Sequence, residues 1–75
     1  MYYVSTRGWS GSVTSAEAIK RGLAPDGGLF VPETIVRLDP EEIASFAEMD
    51  YRERAVSILR HYLDDYTEEE LRECV

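Results

Sequence analysis

Arg7 is the side chain in this 75-residue sequence whose type and position best suit ligand binding. It follows residues 2–6, whose aromatic and β-branched side chains favour a strand, and precedes Gly8, which places a guanidinium between a predicted strand and a flexible loop. The planar fork of an arginine suits two-point contact with a phosphate or a carboxylate. A surface arginine or a partner in a salt bridge is the competing interpretation.

The other reactive side chains form no complete catalytic set. One His and one Cys exclude an internal disulfide and a multi-His or all-Cys metal site. His61 is predicted to be a packed or half-exposed helix residue, and Cys74 a small residue on an apolar helix face. The carboxylates Asp64, Asp65 and 68–70 follow a pattern of helix caps and solvent-exposed acids. A general acid–base pair needs environments that separate two pKa values, usually through burial.

The glycine-rich segments do not form phosphate loops. Residues 8–11 lack the Lys-Ser/Thr pair that completes such a loop. Gly27 and Gly28 precede a predicted strand, whereas a dinucleotide fingerprint follows a strand and opens a helix. Both segments are predicted to be turns, and Trp9 is expected to dock either on this domain or on a partner.

Charge is unevenly distributed along the chain. The net charge is −7; residues 1–38 hold four basic and three acidic groups, and residues 39–75 hold four basic and twelve acidic groups. This balance opposes binding to nucleic acid or to anionic lipid. No apolar run reaches the ~18 residues of a membrane span, and residues 1–5 lack the features of a secretion signal. We therefore expect a cytoplasmic protein without nucleic-acid or membrane partners.

The elements that must position Arg7 are a small α+β unit. Residues 2–6 and 29–31 favour strands, the second stopped by Pro32, and the two are natural pairing partners. A helix is predicted over 15–21, opened by a capping box from Thr14 to Glu17 and ended by a left-handed Gly22. Residues 24–28 form a tight turn.

The second half of the chain is predicted to contain three helices. Together with the first half, this predicts one α+β domain over residues 1–75, with a two-stranded unit and about four helices. The helices begin at the N-caps Asp39, Asp50 and Thr67. Their predicted apolar faces are Ile43, Phe46 and Ala47; Ala55, Ile58, Leu59, Tyr62 and Leu63; and Leu71, Cys74 and Val75. The last helix has no closing signal, so we expect a truncated sequence.

Residues 5–8 and 17–18, together with the run 22–32, resemble the N-terminal domain of threonine synthases. The eleven-residue run is the most specific part, and the resemblance extends over essentially the whole chain. It implies the N-terminal domain of a fold-type II pyridoxal-phosphate (PLP) enzyme that converts O-phosphohomoserine and water into threonine and phosphate. The family's cofactor-binding lysine lies in a later motif of the kind Ala-Phe-Lys-Asp, and this chain has only Lys20.

The resemblance therefore implies that this chain holds no catalytic, cofactor-binding or metal-binding residue and is inactive alone, with PLP in the parent enzyme. Its partners would be the PLP-binding catalytic domains of that enzyme. Thr6 and Arg7 end a strand before a loop, so we expect them to lie nearest the cleft and to bind substrate. A threonine synthase-like phospho-lyase and a free-standing acidic interaction module remain alternatives, and the oligomeric state stays open.

Overall fold

The computed structural model describes residues 1–75 and contains both strands and helices. In chain order the elements are β1 (Tyr3–Ser5), α1 (Ser15–Arg21), β2 (Phe30–Pro32), α2 (Pro40–Ser45), a 3₁₀ turn (Phe46–Glu48), α3 (Tyr51–Tyr62) and α4 (Glu68–Cys74). The predicted α+β class, with a two-stranded sheet and four helices, is confirmed. No helix is both long enough and apolar enough to cross a bilayer.

The two strands pair antiparallel, with Tyr3 opposite Pro32, Val4 opposite Val31 and Ser5 opposite Phe30. The prediction that Pro32 stops the second strand is wrong by one residue. Outside the strands, the Thr6 N–H donates to the Leu29 carbonyl at 2.9 Å, and backbone bonding resumes beyond Pro32. Hydrogen-bonded pairs alternate along an antiparallel ladder. Pro32 falls at a position that needs no N–H toward β1, so its ring is tolerated there.

Helix α1 has the predicted bounds, but each of its ends differs in detail from the prediction. The Thr14 hydroxyl accepts from the Glu17 N–H at 3.4 Å, whereas Glu17 pairs with Arg21 at 2.8 Å instead of closing a capping box. Gly22 has φ 79° and ψ −71°, and the Leu23 N–H donates to the Arg21 carbonyl at 3.0 Å. This is a γ-turn with positive φ, not the predicted left-handed cap.

The N-caps of the later helices are confirmed. Asp39 and Asp50 accept from backbone N–H groups three residues on, at 2.8 and 2.9 Å. Thr67 and Glu70 form the complete reciprocal capping box, with bonds of 2.8 and 3.1 Å. These caps satisfy N–H groups that have no partner within the helix.

The predicted apolar faces of these helices are only partly buried. Helix α2 buries no residue, because no other element covers its Ile43 side, which is 54% exposed. In α3 the buried residue is Val56, which the predicted stripe omitted. The side that carries Ala55 borders an open groove of about 430 Å³. In α4 Leu71 is buried, but Cys74 is exposed, contrary to the prediction.

The core is small for the length of the chain. Eight of 75 residues are buried, and the most enclosed are Leu71 and Ser15, each 1% exposed. The radius of gyration is 14.1 Å, against about 11 Å for a compact domain of this size. The fold is therefore elongated and leaves much apolar surface uncovered.

Long-range polar contacts join the sheet unit to the helices. Asp65 accepts from the Ser15 hydroxyl and from the Ala16 N–H, the latter at 2.9 Å, and so caps α1 from a distant part of the chain. The Tyr3 hydroxyl donates to the Tyr62 carbonyl at 2.6 Å. These bonds set the position of the β1–α1 region relative to α3.

Candidate functional site

Asp26 is the centre of a hydrogen-bonded cluster beside the end of β1. One of its oxygens, Oδ1, accepts from the Ser5 hydroxyl at 2.6 Å and from the Gly28 N–H at 3.0 Å. The other, Oδ2, accepts from the Trp9 N–H at 3.0 Å. One carboxylate therefore ties together the strand, the loop after it and the 24–28 turn.

Ser5 and Gly28 form the tightly packed base of this cluster. Ser5 is 7% exposed, and its hydroxyl also accepts from the Arg7 N–H at 3.1 Å. A Cβ atom at Gly28 would lie 2.2 Å from the Ser5 Oγ and 3.1 Å from the Arg7 nitrogen. Only glycine leaves room for the strand and the turn to approach this closely.

Arg7 projects from the cluster into solvent. Its Nη1 donates to the Asp26 carbonyl at 3.3 Å, and it forms no ion pair with a carboxylate. Gly8, with φ 89°, turns the chain directly after it. Of the two competing interpretations, the structure therefore shows a surface arginine and no salt bridge, and the binding of an anion by Arg7 stays a prediction.

Thr6 is exposed beside Arg7, but its hydroxyl oxygen already accepts from the Leu29 N–H at 3.0 Å. Thr6 therefore supports the junction between the two strands and has only its hydroxyl proton left to donate to a ligand. The two predicted site residues are consecutive in the sequence and both lie in the turn that follows β1. Their contact with a substrate stays a prediction.

Trp9 docks on this domain. Its ring lies 6.3 Å from that of Phe30 in an edge-on arrangement, with an angle of 72° between the planes. A Cβ atom at Gly11 would lie 2.4 Å from the Trp9 ring, so the loop passes directly over the indole. These contacts hold the 8–11 loop against Phe30 of β2.

Two carboxylates, Asp26 and Asp65, are stabilised in their charged form. The hydrogen bond from Ser5 is the main cause that lowers the pKa of Asp26; partial desolvation acts against it, and the N–H groups of Gly28 and Trp9 lower it further. For Asp65, desolvation raises the pKa, but the bonds from Ser15 and Ala16 outweigh it and leave the pKa below its ordinary value.

These shifts predict a loss of stability in acid. Both groups have an ordinary pKa of 3.8 and a lower pKa in the folded chain. Between these two pKa values the unfolded chain therefore binds more protons than the folded chain. The stabilisation is complete above about pH 5 and is lost as pH falls through the folded-state pKa values. Urea unfolding between pH 2.5 and 6 measures this slope.

The control for the acid prediction compares two variants. Asp26→Asn combined with Asp65→Asn should flatten the dependence of the unfolding free energy on pH below 4. Glu69→Gln removes a charge from the exposed surface of α4 and should leave the slope in place. An unchanged slope in the double variant would contradict the assignment.

The remaining reactive side chains lie apart from this cluster. His61 Nε2 lies 2.8 Å from Glu42 Oε1, which links α3 to α2, and the imidazole is half-buried as predicted. No group of three or more His, Cys, Asp and Glu side chains is arranged to hold a metal ion. Lys20 is exposed in the last turn of α1. It therefore does not fit a Schiff-base lysine, which needs an enclosed site.

Sequence reasoning missed the central role of Asp26. It predicted a turn over 24–28 in which Asp26 bonds its own backbone, and that bond to Gly28 is present. The bonds to Ser5 and Trp9 were not predicted, because they join positions 21 and 17 residues apart. The available signal was a serine in one predicted strand and a Pro-Asp-Gly-Gly turn directly before the strand that pairs with it.

Comparison with known families agrees with the resemblance seen in the sequence. The family described as threonine synthase N terminus matches residues 2–75. A threonine synthase from Methylobacillus glycogenes is 39% identical over 72 residues, which cover 96% of this chain and 15% of that protein. One from Pseudomonas aeruginosa is 41% identical over 63 residues, which cover 84% of this chain and 13% of that protein.

A related protein of different name also matches. Threonine synthase-like 2 from Mus musculus is 44% identical over 52 residues, which cover 69% of this chain and 11% of that protein. This chain therefore spans only about a seventh of the length of the curated relatives that it matches.

Proposed function

The chain belongs to the threonine synthase N-terminal family, and we propose that it serves as the non-catalytic N-terminal domain of a PLP-dependent threonine synthase. The parent enzyme would convert O-phosphohomoserine and water into threonine and phosphate. The observation that supports this proposal is the family match over residues 2–75. The similar segment makes up only 15% and 13% of the two bacterial threonine synthases, as expected for one domain of a longer enzyme.

The residues described here do not fit the cofactor itself. The one lysine is exposed on α1, and the glycine turns at 8–11 and 27–28 do not open a helix that could receive a phosphate. PLP would be held by a fold-type II body, the catalytic part of the parent enzyme, and no chemical step is assigned to this chain. The chain's own contribution would be to form one wall of the substrate cleft.

Arg7 is the residue in this wall that suits the substrate. O-Phosphohomoserine has a phosphate and a carboxylate, and either one matches an unpaired guanidinium. The Asp26 cluster fixes the Arg7 backbone through the Ser5 hydroxyl and orients the side chain through the Asp26 carbonyl. Thr6 supports the same turn through Leu29.

A fusion enzyme tests the proposed function. This chain would replace the matched 72-residue segment of the Methylobacillus glycogenes threonine synthase. We expect the fusion to release threonine and phosphate in equal amounts from O-phosphohomoserine, and the same body without the segment to be inactive. A fusion that folds, binds PLP and yet forms no threonine would contradict the proposal.

Within the active fusion, Arg7→Ala should raise the KM for O-phosphohomoserine about tenfold or more, since a hydrogen bond to a charged group contributes ~1.5–3 kcal/mol. The matched control is Arg21→Ala, because Arg21 is also exposed but pairs with Glu17 on α1. Arg7→Lys should restore part of the affinity. A KM and rate unchanged in Arg7→Ala would reject the role of Arg7.

A second candidate is the N-terminal domain of a threonine synthase-like phospho-lyase that acts on related phosphorylated hydroxy amino acids. The observation behind it is the 44% identity to threonine synthase-like 2 over 52 residues. The complete native gene product distinguishes the two candidates. Equal release of threonine and phosphate supports a threonine synthase, and phosphate release without threonine supports the phospho-lyase.

A further inference from the structure

One face of the two-stranded sheet is left uncovered. Side chains alternate between the two faces of a sheet, so the register places Val4 and Val31 on the same side. Tyr2, Thr6 and Leu29 follow on that side at two-residue steps along each chain. Leu23 joins them through its bridge to Leu29. These six residues are called the outer sheet face; the exposed Glu33, opposite Tyr2 and two positions beyond Val31, borders it on the same side.

The outer sheet face is apolar and largely exposed. Tyr2 is 53% exposed, Leu23 59%, Leu29 60% and Val31 37%. The opposite face carries Ser5 in the Asp26 cluster and Phe30 under Trp9, so it is covered from within the domain. A contiguous apolar patch of this kind is typical of an interaction surface.

The charge distribution indicates what kind of surface would cover this face. None of its six residues is charged, and the carboxylate of Glu33 lies only on its border, although the chain has a net charge of −7. A basic protein would bind the acidic helical half instead. The outer sheet face fits an apolar surface that stays in contact permanently, as between two domains of one enzyme.

We propose that the outer sheet face packs against the PLP-binding body of the parent threonine synthase. This inference rests on the proposed function and specifies the surface through which the domain acts. The match covers 15% of the Methylobacillus glycogenes enzyme, so a relative contains several times more polypeptide than this domain. The small core, with eight buried residues of 75, also favours further burial against such a body.

The same packing explains the position of Arg7. Thr6 belongs to the outer sheet face, and Arg7 follows it on the turn that leaves β1. A body that covers Val4, Leu29 and Val31 therefore has its edge at Arg7. The guanidinium then lies at the border between the domain and the body, where a substrate cleft would open.

Cysteine labelling in the fusion enzyme tests this surface without relying on activity. Leu29→Cys places a thiol on the outer sheet face, and Ile19→Cys is the matched control on α1, since these residues are 60% and 63% exposed in the free domain. Peptide mass spectrometry follows maleimide modification at each site. Dividing each rate by that of the same protein unfolded in urea removes differences in intrinsic reactivity.

We expect Leu29→Cys to be modified at least tenfold more slowly than Ile19→Cys in the fusion, and the two to react within about threefold of each other in the free 75-residue chain. Val31→Cys provides a second probe of the same face. A Leu29→Cys rate in the fusion within about threefold of its rate in the free chain would overturn the proposal. Protection in the free chain that grows with protein concentration would also overturn it, because a second copy would then cover the face.

The labelling result and the activity result are separable. A fusion that makes threonine while Leu29→Cys reacts freely keeps the proposed function and rejects this surface. A fusion that protects Leu29→Cys but forms no threonine keeps the surface and rejects the proposed function.

Discussion

Leu71→Ala is expected to leave most of the 75-residue chain unfolded at 25 °C. Leu71 is 1% exposed and is the most deeply buried large side chain of the fold. Truncation of a buried leucine to alanine lowers the free energy of unfolding by about 2–5 kcal/mol. A domain of this length rarely has more than ~3–5 kcal/mol in total. Circular dichroism and urea unfolding measure the loss.

Leu23→Ala is the matched control for this variant. It deletes the same atoms from a side chain that is 59% exposed, so the change should be within about 0.5 kcal/mol. If the two variants unfold at the same urea concentration, Leu71 does not hold α4 in place. In the fusion enzyme, Leu71→Ala should leave a smaller fraction of the domain unfolded, because contacts with the body add to the stability of the domain.

Gly28→Ala is expected to destabilise the chain by about 1–3 kcal/mol, the usual range for overpacking in a tight site. The new methyl group would lie 2.2 Å from the Ser5 Oγ and 3.1 Å from an Asp26 oxygen. Neither neighbour can move freely, because the two are bonded to each other at 2.6 Å. Urea unfolding measures the loss, and Trp9 fluorescence reports the cluster because the Trp9 N–H is bonded to Asp26.

A double-mutant cycle identifies the cause of this loss. Ser5→Ala removes the oxygen that the new methyl group would meet, so Gly28→Ala should be less damaging in the Ser5→Ala background by about 0.5 kcal/mol or more. Additive effects would show that Gly28 is required for a reason other than its contact with Ser5. The same variants in the fusion enzyme should raise the KM for O-phosphohomoserine, since the Ser5 hydroxyl accepts a hydrogen bond from the Arg7 N–H and so holds the Arg7 backbone.

The helix starts could be predicted from the sequence because each one is a local event. Thr14, Asp39, Asp50 and Thr67 each bond an N–H group three residues ahead, and that spacing is visible in the residue types. The predicted turn over 24–28 is local in the same way. The pairing of the two strands is not local, since it joins Tyr3 to Pro32, but it could be predicted because each predicted strand had only the other as a partner. The sequence motifs over 5–8 and 22–32 were also sufficient to identify the family, which the match over residues 2–75 confirms.

Contacts between distant residues could not be predicted in this way. Asp65 had the features of a solvent-exposed acid, yet it caps α1 through Ser15 and Ala16, about 50 positions away. Asp26 was predicted to be a turn residue, yet it bonds Ser5 and Trp9. A carboxylate accepts hydrogen bonds from water as well as from hydroxyl and backbone N–H groups, so its residue type does not indicate which partner it has.

The sequence by itself determined the α+β class, the places where the helices begin, the family and the candidate pair Thr6 and Arg7. Only the tertiary structure decided which apolar faces are covered: it buried Val56 and Leu71 and left Ile43, Leu29 and Cys74 exposed. Periodicity shows that a face is apolar, but burial requires a second surface to displace the water from it. That second surface depends on how the elements are arranged in space.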